Sequence, residues 1–467
     1  MRHLLGAIIL VLAATGWAAD TDDLRERLDL ARRLAREADD RTLIARAEAA
    51  LRARPADPAE VAALEAALGI DPGGWSVGGL PLFRPRPGDA AALAGVEVRL
   101  QAGLAARDPL LVAAAVSDWC GVLGERAGLP DARRPGWRPA ADASTAAPAA
   151  AYLLARLADA SPMLDDLAAG RARGGVMMRS YAGMLDALCT LRPVAPASAL
   201  PRLDRLIDGA AGILLAMQRP EGHWPFPDLR GRHLRFGDMI GREVAAGARV
   251  EYGWLIDPGP RGESNFDTGL AGQALLRAAR LRGMAAWREA GARAARWVAP
   301  RPLSTNWNYN AFAMALCADA AQASGDAGLQ EAAYAIAMAG VLPGQLADGA
   351  QRGRWLDPHN ARTVYHRIIL RCLHDVLEAL PSGDPRRQAI AAAARLAVTA
   401  LADEHAAVGV SVICLRELSR HADLVADPDL RLAAMLDDHR RTAAARHAGA
   451  AAPGADPAEL ARWVVDR

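Results

Sequence analysis

Apolar residues recur at three- and four-residue spacing along most of this chain, the period of one helix face, and Gly, Pro and Asp break the pattern at short intervals. The pattern predicts helices at about 89–106, 109–126, 145–160, 177–190 and 199–218. It resumes at 267–282, 285–299, 306–323, 328–340, 361–380, 386–402, 405–421 and 428–445. No alternation of apolar and polar residues persists long enough to predict a sheet. An all-α chain of repeated helical hairpins is the expectation.

The first 90 residues read differently. Met1-Arg2-His3, an apolar run over 4–14 and small residues at 16–19 look like a secretory signal peptide, so the mature chain is expected to be periplasmic or secreted with no membrane span. A short helical segment follows, with Leu24, Leu28, Leu30, Ala31 and Leu34 on one stripe, and Gly and Pro crowd 71–88 into a connection. Those glycines precede no Gly-Lys-Ser/Thr and form no phosphate loop. The expected division is a leader at 1–19, a helical segment and linker at 20–90, a main domain at 91–447, and an Ala-rich linker with a short helix at 448–467.

Composition narrows the chemistry. A formal net charge of +1 gives no bulk field, which argues against nucleic acid as a partner. Lys is absent, so every basic side chain is Arg, the residue that grips a carboxylate through two parallel hydrogen bonds. Five Asn occur, Asn265, Asn306, Asn308, Asn310 and Asn360, all within a third of the chain and among Trp, Tyr, His and Arg. Asn also caps helices and fills turns, which serves Asn265 and Asn360 equally well. The five Cys lie in apolar helical patterns, without metal-ligand spacing, and His359 and His366 match no zinc spacing. No cofactor and no metal is expected.

Two loops share a pattern. Gln218-Arg219-Pro220-Glu221-Gly222-His223-Trp224 closes one helix and Gln345-Leu346-Ala347-Asp348-Gly349 closes another, with Gly free to turn the backbone and Trp placed to pack on the helix ends. With Phe266-Asp267-Thr268-Gly269-Leu270 opening a helix, these turns resemble the α/α toroids, or helical-hairpin barrels, of six-hairpin glycosidases, polysaccharide lyases and terpenoid cyclases. The resemblance spans residues 90 to 425. Cyclases use further aspartates that Asp165-Asp166 and Asp437-Asp438 lack, and 5% aromatic content is thin for stabilising carbocations, so the resemblance points to carbohydrate.

Resemblance to the lyases implies β-elimination at a uronic acid, with donors on the sugar carboxylate, a base for the C5 proton and an acid for the leaving oxygen. Asn308 and Arg362 are then the carboxylate donors, His366 the base, and Tyr365 or Tyr309 the acid. Trp224, Asn306, Trp307, Asn310, Asp267, His359, Asn360 and Trp355 are the expected substrate contacts, on an anionic polysaccharide or oligosaccharide. On a helical wheel Tyr365 lies within the apolar arc of its helix and His366 at the arc's edge, where it would equally be a core histidine; Arg367, Arg371 and His374 fall opposite, on a solvated or ion-paired face. Two alternatives stay open. One is a glycoside hydrolase with a carboxylate pair drawn from Glu221, Asp228, Asp238, Glu263, Asp267, Asp348 and Asp357. The other is a non-catalytic glycan-binding protein that stacks sugars on Trp224, Trp254, Trp307 and Trp355.

Overall fold

The computed structural model describes residues 90–127, 162–231, 234–256, 264–347, 352–355, 363–381, 383–408 and 421. The expected leader, the 20–89 segment, the C-terminal tail and the helices expected at 145–160 and 428–445 lie outside them.

The chain is predominantly helical. In order come α1 (Ala90–Ala106), α2 (Pro109–Ala127), α3 (Pro162–Ala169), α4 (Met178–Leu191), α5 (Leu200–Met217), α6 (Leu234–Ala245), α7 (Ser264–Arg282) and α8 (Ala285–Val298). Then follow α9 (Trp307–Ser324), α10 (Ala327–Gly340), α11 (Thr363–Ala379) and α12 (Pro385–Val408). Two of these, α3 and α6, fall where no helix was expected, and the last also departs from expectation: one helix runs through Ala402–His405, where two were expected, because no Gly or Pro stands between them.

Four hairpins, α4/α5, α7/α8, α9/α10 and α11/α12, stack side by side. The first helix of each packs on the first helix of the next, so α4, α7, α9 and α11 form an inner row and their partners an outer one. Contacts pair N-terminal end with N-terminal end: Arg179 of α4 meets Asp267 of α7, and Phe266 meets Phe312 of α9. The inner helices are therefore mutually parallel. Close approach has a cause in the sequence at Gly269, where a Cβ would lie 2.7 Å from the Phe312 backbone. At the other end of α9, the Asp326 carboxylate accepts hydrogen bonds from the Gly328 and Leu329 amides and starts α10. The α1/α2 hairpin lies against α10 and the turn after it, and Arg107 donates to the carbonyls of Ala299 and Arg301.

The α5–α7 connection holds a small antiparallel sheet that the sequence pattern does not announce. Its strands, β1 (Phe226–Pro227), β2 (Val250–Glu251) and β3 (Trp254–Leu255), are two residues each and ordered β1-β3-β2. Alternation needs more residues than that to be read.

The two Gln turns are the same device twice. Gln218 Nε2 donates to the Gly222 and Ala290 carbonyls, each at 2.9 Å, and Gln345 Nε2 donates to those of Gly353 and Ala393, each at 2.9 Å. Trp224 Nε1 donates to the Leu214 carbonyl and Trp355 Nε1 to the Val341 carbonyl, both at 2.8 Å. The counterpart of Gly222 is thus Gly353, not the Gly349 expected from counting residues, because the second turn is longer. Gly222 has φ +116° and Gly353 φ +92°, and a Cβ there would lie 2.6 Å from the Arg293 carbonyl oxygen and 2.2 Å from that of Leu396. Only glycine satisfies both demands. Gly222→Ala and Gly353→Ala should each cost about 2 kcal/mol or more in denaturant unfolding. Gly212→Ala, inside α5 with nothing near its Cβ position, should instead stabilise by about 0.5–1 kcal/mol.

Candidate functional site

The N-terminal ends of the inner helices gather buried polar groups. Arg179, the second residue of α4, clamps Asp267 in the first turn of α7, with Nε to Oδ1 and Nη2 to Oδ2 both at 2.7 Å. Both side chains are buried. The guanidinium lies 4.2 Å from the Phe266 ring and 5.7 Å from the Phe226 ring of β1. Burial opposes the Arg179 charge, but Asp267, with Tyr309 and Tyr365 nearby, more than offsets it, so its pKa stands above the ordinary value. Tyr309 packs edge-on against Phe266 at 5.4 Å, and Tyr309 and Tyr365 are half-buried. Four inner helices thus contribute to one cluster: a buried ion pair, aromatic walls and two tyrosines at the edge.

Asn308 belongs to the same layer. Spaced four and seven residues apart, Asn308, Phe312 and Asp319 share one stripe of α9. Phe312 meets Phe266 of α7, and Arg371 of α11 lies over its ring, so that stripe faces the neighbouring inner helices. Asn308 is 0% exposed, and neither its amide oxygen nor its amide nitrogen has a hydrogen-bond partner. Ser180 Oγ and Thr268 Oγ1, beside Arg179 and Asp267 in sequence, are likewise buried without one. Each such group costs roughly 1–3 kcal/mol unless something else satisfies it.

Other expected site residues serve the fold or face away from this cluster. Asn310 is fully used in structure: Oδ1 accepts from the Ser304 amide, and Nδ2 donates to the Ser304 and Gly340 carbonyls. Asn306 is the N-cap position of α9, and Trp307 is buried against Gly344. Trp224, Trp307 and Trp355 are at most 3% exposed, which leaves no ring face open for a sugar. His366 turns to the outer row, with Nε2 2.9 Å from the Ala397 carbonyl of α12 and its ring 5.3 Å from Trp355. It sits as a core histidine. Arg367, Arg371 and His374 are buried too, which corrects the solvated-face alternative. Arg362, His359 and Asn360 lie outside the described residues.

A second polar layer crosses the inner row nearer its C-terminal ends. Gln273 Nε2 of α7 donates to Asp319 Oδ2 at 3.1 Å and to Asp375 Oδ2 at 3.3 Å, bridging α9 and α11. Arg277 pairs with Asp186, Arg280 lies 4.0 Å from Asp319, and Arg371 lies 3.9 Å from Asp375. Burial, and then the Asp375 charge, raise the Asp319 pKa against the pull of Arg280 and Arg277. Of the carboxylates considered for hydrolysis, Glu221 is exposed, Asp228 pairs with Arg230 and Asp267 with Arg179. Glu263, Asp348 and Asp357, and the Asp238 side chain, lie outside the described residues. Among the described residues no group of three or more His, Cys, Asp or Glu could hold a metal ion, and no helix is long and apolar enough to cross a membrane.

No known protein family matches this chain, and no curated protein does so either. Arg179 and Asp319, which anchor the two layers, carried no sequence signal. Arg179 is one Arg among many, and Asp319 sits in an Ala-rich apolar stretch.

The raised Asp319 pKa sets a direction with pH. A carboxyl with a higher pKa folded than unfolded takes up a proton on folding, so it contributes stability at low pH and loses it as pH rises from about 4 through the raised value. In thermal melts from pH 4 to 8, Asp319→Asn should weaken that decline, and at pH 8 it should melt no lower than the wild type.

Proposed function

We propose that the chain is an exported carbohydrate-active enzyme of the α/α-toroid kind, which cleaves a uronate-containing glycan by β-elimination at the N-terminal ends of its inner helices. The observation behind this reading is Asn308: a buried amide with no protein partner, next in sequence to a tyrosine at the edge of the site. The parallel inner row supports it, since four helix N-termini at one level favour a bound anion. So does the row of hairpins itself, the arrangement from which a toroid is built.

The chemistry divides simply. Asn308 Nδ2 donates to the substrate carboxylate and stabilises charge as the C5 proton leaves. One tyrosine of the pair Tyr309 and Tyr365 acts as the base that takes that proton. The C5–H electrons form the C4–C5 double bond, the C4–O bond breaks, and the other tyrosine protonates the departing oxygen. Arg179, held by Asp267, supplies the positive charge beside both phenols. His366, whose Nε2 serves the Ala397 carbonyl, gives up the role of base.

Hydrolysis is the second reading. Asp319 and Asp375 both accept from one amide nitrogen, which pairs two carboxyl groups as glycosidases require.

Incubation of the purified protein with uronate polysaccharides decides between these readings. Elimination gives an ultraviolet-absorbing unsaturated uronate; Asn308→Ala should lower kcat about 10²–10³-fold, and Tyr309→Phe and Tyr365→Phe each about 10²–10⁴-fold. New reducing ends without that absorbance, abolished by Asp319→Asn, would favour the hydrolase. Binding without turnover would leave a glycan-binding protein.

A further inference from the structure

The two Gln turns are equivalent, yet the segments that leave them differ. Seven residues separate Trp355 from α11 at Thr363, whereas 39 separate Trp224 from α7 at Ser264, and these include β1, α6, β2 and β3. The described hairpins pack on one another first helix to first helix, α4 on α7 included. The insertion after Trp224 reaches the N-terminal end of the inner row, where the Phe226 ring of β1 lies 5.7 Å from the Arg179 guanidinium.

The tip of the insertion is strained. Tyr252 has φ 50° and Gly253 φ 81°, so the two residues between β2 and β3 both take left-handed backbone, the geometry of a type I′ hairpin turn. Asn, Asp or Gly ordinarily fills the first of these positions, and a bulky side chain there carries a conformational cost. The Tyr252 ring gains nothing from the fold in return, since the residue is 101% exposed. The tip is nonetheless firmly placed. The Asp228 amide donates to the Gly253 carbonyl at 2.8 Å, β1 and β2 flank β3, and the Ile256 carbonyl lies 3.0 Å from His223 Nε2. A fully solvated aromatic ring is thus held at a fixed point at the expense of backbone strain.

Its distance from the site is set by strand geometry. Leu255 pairs with Phe226, and Tyr252 is three residues back along β3 and its turn, so the tip stands about 10 Å from the aromatic wall of the Arg179 site. We propose that the insertion is a distal glycan subsite: Tyr252 stacks on a sugar ring of an acidic chain while the reacting uronate lies beside Asn308, Tyr309 and Tyr365. This rests on the uronate reading of the site and names what extends it. The occupant is a sugar chain because the platform is continuous with that site through the Phe226–Leu255 pair, and because an isolated ring offers one flat apolar face, suited to the C–H face of a pyranose.

Binding of a uronate disaccharide and of a hexasaccharide, measured in the non-cleaving Tyr309→Phe, Tyr365→Phe background, tests it. Tyr252→Gly should weaken the hexasaccharide roughly tenfold and leave the disaccharide unchanged. Its melting temperature should equal or exceed that of the background, since glycine relieves the strained turn. Tyr252→Trp should retain hexasaccharide binding. If the background binds the hexasaccharide and Tyr252→Gly binds it equally well, the subsite is overturned while the uronate reading stands. If neither oligosaccharide binds, and the wild type does not cleave uronate polysaccharides either, both fall together.

Discussion

The ion pair between Arg179 and Asp267 fixes the end of the molecule where the polar chemistry collects. Two buried charges are expensive unless each meets the other with good geometry, and the two parallel hydrogen bonds at 2.7 Å meet that requirement while joining α4 to α7. The pair sets the register of the first two inner helices. Through Phe266 it also sets the place of α9, since that ring touches the Arg179 guanidinium on one side and Tyr309 and Phe312 on the other. Tyr309 and Asn308, both in the first turn of α9, follow from this register.

The inner row carries polar groups at two depths, and they do different work. Near the C-terminal ends Gln273 donates to two carboxylates at once, with arginines beside them, and that layer ties α7, α9 and α11 together. At the N-terminal ends Asn308, Ser180 and Thr268 bring buried hydrogen-bonding atoms that no protein group meets. A fold tolerates such atoms where a ligand or water completes them. Gln273 Oε1 in the deeper layer is likewise buried without a partner, so what sets the candidate site apart is its place at the helix N-termini beside two half-buried tyrosines.

Much of the helix order was legible in sequence, because Gly, Pro and Asp punctuate long apolar periods. The Gln turns were legible as a repeat, but their alignment was not: four extra residues in the second turn moved the working glycine from 349 to 353, and only the carbonyls that Gln345 reaches disclose this. Asn308 stood out as a scarce residue type in a stretch that also holds Tyr309 and Tyr365, and Asp267 through the motif that opens its helix; in the fold Asp267 clamps Arg179, with Tyr309 and Tyr365 near that guanidinium. Arg179 did not, because an arginine becomes exceptional only through the partner that the fold brings from 88 residues away. The aromatic and Asn signals also overreached. Trp224, Trp355, Trp307 and Asn310 share the composition of binding residues, yet their polar atoms or rings are spent on helix ends and turns.

A double-mutant cycle on the stability of Arg179→Met, Asp267→Leu and the pair tests the central claim most directly. Each single change strands a buried charge and should cost about 3–5 kcal/mol, whereas the double variant, with no charge left to strand, should be more stable than either single. Losses that simply add in the double variant would mean that the two residues do not act as a pair, and that the ends of the inner helices are held in register by something else.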